Sequence, residues 1–283
     1  MRWTPGGRSE DLEDQRSSGG GRMGGGAGLG IGGLLLLGVL SLVFKRDLIT
    51  PFLNVGGTDS SVAATKADPK RDAAEEPMVQ FVSFVLDDAQ KTWGTKFATQ
   101  GKSYQRARLV LFRDGVDSAC GSADAAVGPF YCPGDKKVYI DLGFYDELKR
   151  RFGASGDFAQ AYVLAHEIGH HVQNLLGVDR QVRQAQQQDP SARNPLSVKL
   201  ELQADCYAGV WAHSTSERKL LEAGDVEEAL RAASAIGDDN IQKMSRGRVV
   251  PESFTHGSSE QRVTWFRRGF ESGEPSNCNT FAK

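Results

Sequence analysis

One stretch, Asp157 to Gly177 (DFAQAYVLAHEIGHHVQNLLG), limits what this 283-residue chain can become. Apolar residues recur through it at helical spacing (Phe158, Ala161, Ala165, Ile168, Val172, Leu175, Leu176), and no proline interrupts them. Asp157 with Gln160 three residues on reads as an N-cap and capping box, and Gly177 as the stop. Within the run, His166, Glu167 and His170 form an HExxH pattern. Residues four apart on a helix share a face about one turn apart, so both imidazoles project together. Two nitrogens so placed can hold one tetrahedral Zn²⁺. Glu167, beside His166, can reach a zinc-held water without ligating the metal. The competing reading is a chance match on an ordinary amphipathic helix. With only five His in the chain such a match is rare, and burying two His and a Glu without partners is costly. The pattern therefore predicts a zinc centre.

A third ligand has to come from elsewhere. A metzincin would continue HExxHxxGxxH, but Gln173 and Leu176 stand at the last two positions, so that class is excluded. Pro195 to His213 (PLSVKLELQADCYAGVWAH) reads as another helix, with Asn194 as cap and Pro195 in its first turn. Glu201 and Asp205 are four apart on it, again on one face. Two acids on a helix are usually a solvated face. Here Leu200, Leu202, Ala204, Ala208 and Trp211 surround them, and buried acids need partners. Glu201 is the expected third zinc ligand, and Asp205 the acceptor that orients a ligand imidazole.

Other stretches carry weaker signals. Met78 to Trp93 has a helical period, Arg108 to Phe112 is a β-like run, and Gly115 to Asp135 reads as a Gly/Cys/Pro-rich loop. Lys137 to Leu142 alternates like a half-buried strand. It is either a plain sheet strand or one whose open edge pairs with a peptide substrate. Asp225 with Glu228, and Ser258 with Gln261, read as capping boxes of two further helices. His171 points about 100° away from His170 and reads as structural. His213 reads as a helix-end residue favoured by the dipole.

HEIGH followed by ELQAD resembles the gluzincin group of zinc metallopeptidases. The longer strings YCPGDKKVYIDL, GDFAQAYVLAHEIGHHVQNLLG and ELQADCYAGVWA closely resemble a bacterial membrane-anchored family of neutral zinc metallopeptidases. The resemblance runs nearly the whole chain. It implies a zincin-like catalytic domain outside the cytoplasmic membrane and names no substrate. Thr255-His256-Gly257 with Arg262 resembles the THP…RI segment of the integral-membrane CAAX-type metallopeptidases, with Gly257 in place of Pro. On that resemblance His256 lies near the active site, where it could donate to a tetrahedral oxyanion. A structural or surface histidine is the competing reading.

The N-terminal quarter is organised differently. Residues 1–27 are rich in Gly, Ser, Arg and acids and are expected to be disordered. The uncharged run from Gly24 to Phe44 is 21 residues, just long enough to span a bilayer, so residues 28–46 are read as a single-pass anchor rather than a cleaved signal peptide. Residues 47–77 are expected to be a polar linker, and residues 78–283 the catalytic domain. The balance of 34 basic and 36 acidic residues argues against nucleic acid as the main partner. All four cysteines follow the apolar run. An even number suits an oxidising compartment, with Cys120 paired to Cys132 and Cys206 to Cys278; four buried free thiols are the alternative.

The expected fold is α+β, mostly helical with a small sheet, and the metal lies between the HExxH and ELQAD helices. The expected function is membrane-anchored, zinc-dependent peptide hydrolysis with Glu167 as general base. The rival is a zinc-binding scaffold or regulatory protein. A structural site, however, would normally fill the fourth position with Cys or His.

Overall fold

The computed structural model describes residues 1–17, 68–124 and 127–282. In chain order, β1 (Leu12–Asp14) and α1 (Pro69–Ala98) precede β2 (Arg108–Phe112) and a hairpin of β3 (Gly115–Ser118) and β4 (Gly121–Asp124). Next come β5 (Phe130–Cys132), β6 (Lys137–Asp141), α2 (Gly143–Arg150) and the motif helix α3 (Asp157–Leu176). The chain then runs through α4 (Val178–Gln188), α5 (Arg193–Glu217), α6 (Asp225–Ala235), α7 (Asp238–Arg246) and α8 (Ser259–Ser272). The expected α+β architecture with helices in the majority is what forms. Among the described residues no helix is long and apolar enough to cross a membrane, and the anchor expected over residues 28–46 lies outside them.

The main sheet has the order β1-β2-β6-β5, with β1, β2 and β6 parallel and β5 antiparallel to β6. One face, through Leu109, Leu111, Val138 and Ile140, joins the core shared with α1, α3 and α5. The other, through Val110, Phe112 and Tyr139, packs in a smaller cluster with Val116 and Cys132. Lys137–Asp141 is thus a central strand with both edges occupied, so the open-edge reading fails for it. The segment read as a loop over Gly115 to Asp135 holds the β3–β4 hairpin and β5, strands of three or four residues too short to show alternation. Cys120–Cys132 ties that hairpin to β5, and Cys206–Cys278 ties α5 to the tail, the pairing expected from the sequence.

Residues 1–17 overturn the expectation of a disordered leader. β1 is a sheet strand, and Trp3 packs edge-on to Phe81 at 5.3 Å. Arg16 is 1% exposed, bonded to Asp14 and to Glu75 of α1. The linker boundary moves too: α1 starts at Pro69, capped by Asp68, not at Met78. Both errors have one cause. This region docks largely through ion pairs (Arg8–Glu76, Arg16–Glu75), so it lacks the apolar periodicity that marks a folded segment.

Two of the three expected capping boxes are also corrected. Gly156, not Asp157, is the N-cap of α3, and Asp157 accepts from the Met1 ammonium at 2.7 Å. Gly224 precedes α6, and Glu228 reaches across to accept from the Phe158 N–H at 3.1 Å, capping the motif helix from a neighbour. The Ser258–Gln261 box is present as expected. Asn194 lies inside α5, where its amide donates to the Glu252 carbonyl, so it is no cap. His213 holds α5 against α8 by bonding the Phe270 carbonyl at 2.7 Å, one of the last carbonyls of a neighbouring helix rather than of its own.

Candidate metal centre

α3 and α5 cross at Gly169, the glycine inside HEIGH. A Cβ there would sit 2.9 Å from the Ala204 carbonyl oxygen, so only glycine lets the backbones approach this closely. The crossing sets Glu201 and Asp205 of α5 opposite His166 and His170 of α3. His166 Nε2 lies 3.2 Å from Glu201 Oε2, and His170 Nε2 lies 3.5 Å from Glu201 Oε1. One donor atom from each of the three residues falls within 4.8 Å of the others.

The far nitrogens explain why the near ones converge. His166 Nδ1 sits 2.8 Å from Asp205 Oδ1, and His170 Nδ1 sits 2.8 Å from Gln173 Oε1. Each acceptor favours a proton on Nδ1, so in the neutral ring, the form that would ligate a metal, the Nε2 lone pair faces Glu201. Gln173 is itself fixed by donating to the Leu200 carbonyl at 2.7 Å and to Gln203 at 3.1 Å. Asp205 is completely buried. It accepts from Tyr162 at 2.5 Å and from Arg262 at 2.8 and 2.9 Å, as well as from His166.

The electrostatics follow from this packing. Burial alone would raise the Asp205 carboxyl, but the Arg262 and His166 charges and hydrogen bonds hold it at about 2. Burial likewise works against Glu201, and the two imidazoles outweigh it, keeping that carboxyl well below its ordinary range. Burial would lower His166, yet Asp205 and Glu201 push it up to about 10. Glu167 is 7% exposed, and its carboxyl is raised, chiefly by burial. Arg262 cancels the charge of Asp205, so Glu201 presents its charge to the space between the imidazoles. His166, His170 and Glu201 could hold a cation. Two imidazole nitrogens and one carboxylate are also the donor set that zinc hydrolases use.

His256 comes from the loop before α8. Asp238, at the start of α7, gathers that loop by accepting from the backbone N–H of Thr255 (2.7 Å), His256 (2.6 Å) and Gly257 (3.0 Å). His256 Nδ1 faces Asp238 Oδ1 at 3.2 Å and Thr255 Oγ1 at 3.0 Å. Burial would lower this imidazole, but the Asp238 hydrogen bond and the nearby Glu201 charge leave it raised. His171 takes the structural place expected of it, and Cys206 is in a disulfide.

Four residues in this network had no assigned role in the sequence reading: Tyr162, Gln173, Asp238 and Arg262. Tyr162 had a visible signal, since 162, 166 and 170 form one i, i+4 stripe. Arg262 was marked only by the THP…RI resemblance, which gave it no role, and Asp238 had no signal; both reach the site from other helices.

The donor set defines a candidate metal centre between two crossed helices. The chain belongs to the family described as "Putative neutral zinc metallopeptidase", whose model matches residues 1–281. It is 50% identical over 289 residues to the uncharacterized protein YpfJ of Escherichia coli K12, covering 100% of this chain and 99% of that one. It is 48% identical over 190 residues to the uncharacterized protein Rv2575 of Mycobacterium tuberculosis H37Rv, covering 63% of this chain and 64% of that one. No solved structure matches it.

Proposed function

We propose that this protein is a zinc-dependent endopeptidase of gluzincin type. The observation that carries the proposal is the convergence of His166 Nε2, His170 Nε2 and the Glu201 carboxylate, with both Nδ1 atoms anchored. These three residues would hold zinc. When bound, zinc supplies Lewis acidity and an acidified water.

The chain's own residues supply the rest. Glu167 takes a proton from the attacking water and later hands it to the leaving amine. Its burial raises its proton affinity, which suits a group that must accept and then release a proton. Asp238 keeps a proton on His256 Nδ1, and the raised pKa favours a second on Nε2, so His256 can donate to the oxyanion that forms on the substrate carbonyl. β5 packs beside α3 through Tyr131 and His171 at 3.0 Å, and among the described residues its only ladder partner is β6. Its other edge suits an extended peptide or protein substrate adding as a strand. The two disulfides support a location on the extracytoplasmic side, in an oxidising compartment.

The test is hydrolysis of an unfolded protein substrate by the full chain. Activity should need one zinc per chain, be abolished by a chelator and return with zinc. Stoichiometric zinc with no hydrolysis of any peptide library would leave a binding protein instead.

A further inference from the structure

Residues 1–17 and residues 68 onward are separated in sequence by 18–67, yet they build one body. Leu12, Glu13 and Asp14 pair in register with Leu109, Val110 and Leu111. Backbone bonds from Leu109 to the Asp11 carbonyl (2.9 Å) and from Gln15 to the Leu111 carbonyl (2.8 Å) continue the ladder at both ends. Arg16 is 1% exposed and reaches Glu75 at 2.8 Å. The Ser17 hydroxyl donates to Asp72 at 2.8 Å, so the chain leaves the described body beside the first turn of α1, where it returns. Ser9 donates to Asp87 at 2.8 Å, and Gln90 donates to Asp11 at 3.1 Å, further along that helix.

A β-ladder and a buried guanidinium–carboxylate pair require their halves in direct contact. The hydrocarbon core of a bilayer is about 30 Å thick, and a segment that crosses it once leaves its two flanks on opposite sides. Ser17 and Asp72 are in hydrogen-bond contact, so a single crossing between them is incompatible with the sheet.

We infer that residues 1–17 and the domain from residue 68 occupy the same compartment. This replaces the single-pass topology expected from the apolar run. The disulfides on the same body make that compartment the oxidising one, so Arg2, Arg8 and Arg16 lie outside with the domain. Charge does not oppose this, since basic residues flank the apolar run on both sides and give orientation little bias. The inference stands whether or not the metal centre is a peptidase.

The test uses the full-length chain in bacterial membranes. Ser17→Cys and Asp72→Cys are made singly and together, at positions whose side chains touch. A membrane-impermeant maleimide is applied to spheroplasts before and after lysis. Disulfides in the double variant are mapped by mass spectrometry of a non-reduced digest. Both single variants should be labelled before lysis, and the double variant should contain a disulfide joining the two new thiols. Labelling of the Asp72→Cys variant before lysis but of the Ser17→Cys variant only after it overturns the inference, as does a double variant without that disulfide. Labelling of neither variant until lysis overturns the assignment to the oxidising side.

Discussion

His170 and His171 are neighbours on one helix and meet opposite fates. His170 spends one nitrogen on Gln173 and turns the other toward Glu201. His171 spends both: Nε2 donates to the Gln105 carbonyl at 2.6 Å, and Nδ1 accepts from Tyr131 at 3.0 Å. The Tyr131 oxygen in turn accepts from Asn174 at 2.7 Å. Burial is the largest influence on both rings. It wins for His171, taking it down to about 4, and loses for His170, which the Glu201 carboxylate raises. Residue type and burial therefore do not separate the proposed zinc ligand from the structural histidine. What separates them is whether hydrogen bonds consume one ring nitrogen or two.

The comparison breaks most sharply on metal content. His166→Ala, His170→Ala and Glu201→Ala should each abolish the stoichiometric zinc of the purified chain, while His171→Gln should retain it. Elemental analysis after gel filtration decides this. Full zinc in the Glu201 variant would remove Glu201 from the site.

Chemistry comes next in size. Glu167→Gln keeps every proposed ligand, so zinc content and fold should hold while hydrolysis falls by about 10²–10⁴-fold, the usual contribution of a general base. Steady-state rates at saturating zinc measure it, and a variant as fast as the parent would refute the role of Glu167.

A smaller effect is expected one hydrogen bond behind the ligands. Asp205→Asn keeps an oxygen for His166 but removes the charge that strengthens the ligand, so zinc affinity should drop by about 10–100-fold. Both substitutions remove the charge that faces Arg262, 3% exposed, and breaking a buried pair costs about 3–5 kcal/mol; Asp205→Ala is the poorer probe because it also removes every acceptor oxygen, whereas Asn keeps one. Zinc titration with circular dichroism of Asp205→Asn separates the two effects. Unchanged affinity would mean that α5 does not orient His166.

How far the sequence exposed this arrangement depends on how local each part is. His166, Glu167 and His170 lie on one helical turn, so their spacing alone exposed them. Glu201 and Asp205 stood out because acids are costly in an apolar stretch, although their distance from the histidines depends on the close crossing at Gly169. Arg262 neutralises Asp205 across a sequence separation of 57, and no local pattern predicts such a pair. The docked arm was hidden for another reason. Its arginines, acids and glycines have the composition of a solvated segment, and only partners on α1 and β2 turn them into buried structure. Gln173 was read only as the residue that excludes a metzincin, yet it orients His170.

The last prediction concerns the closed face. His171 is neutral in the native state down to about pH 4, whereas in the unfolded chain it takes up a proton near 6.5. Above pH 6.5 both states are neutral at this ring, and it adds no slope. Between 6.5 and about 4 the unfolded state binds a proton that the native state refuses, so stability falls as pH falls. Below about 4 both are protonated and the loss is complete. At about 1.4 kcal/mol per pH unit, the gap amounts to roughly 3 kcal/mol. The cause is structural: a proton on Nδ1 would displace the Tyr131 hydroxyl from its only ring acceptor. Zinc-free protein gives the cleanest measurement, because His166, at about 10, stays charged across the window. Urea midpoints at pH 7.5 and 4.5 should fall further for the parent than for His171→Gln, which has no ring to protonate. The variant starts lower at pH 7.5, having lost at least one of the two hydrogen bonds. Parallel losses in parent and variant would mean that the His171 face tolerates a charge after all, and the contrast between the two histidines would then rest on the metal side alone.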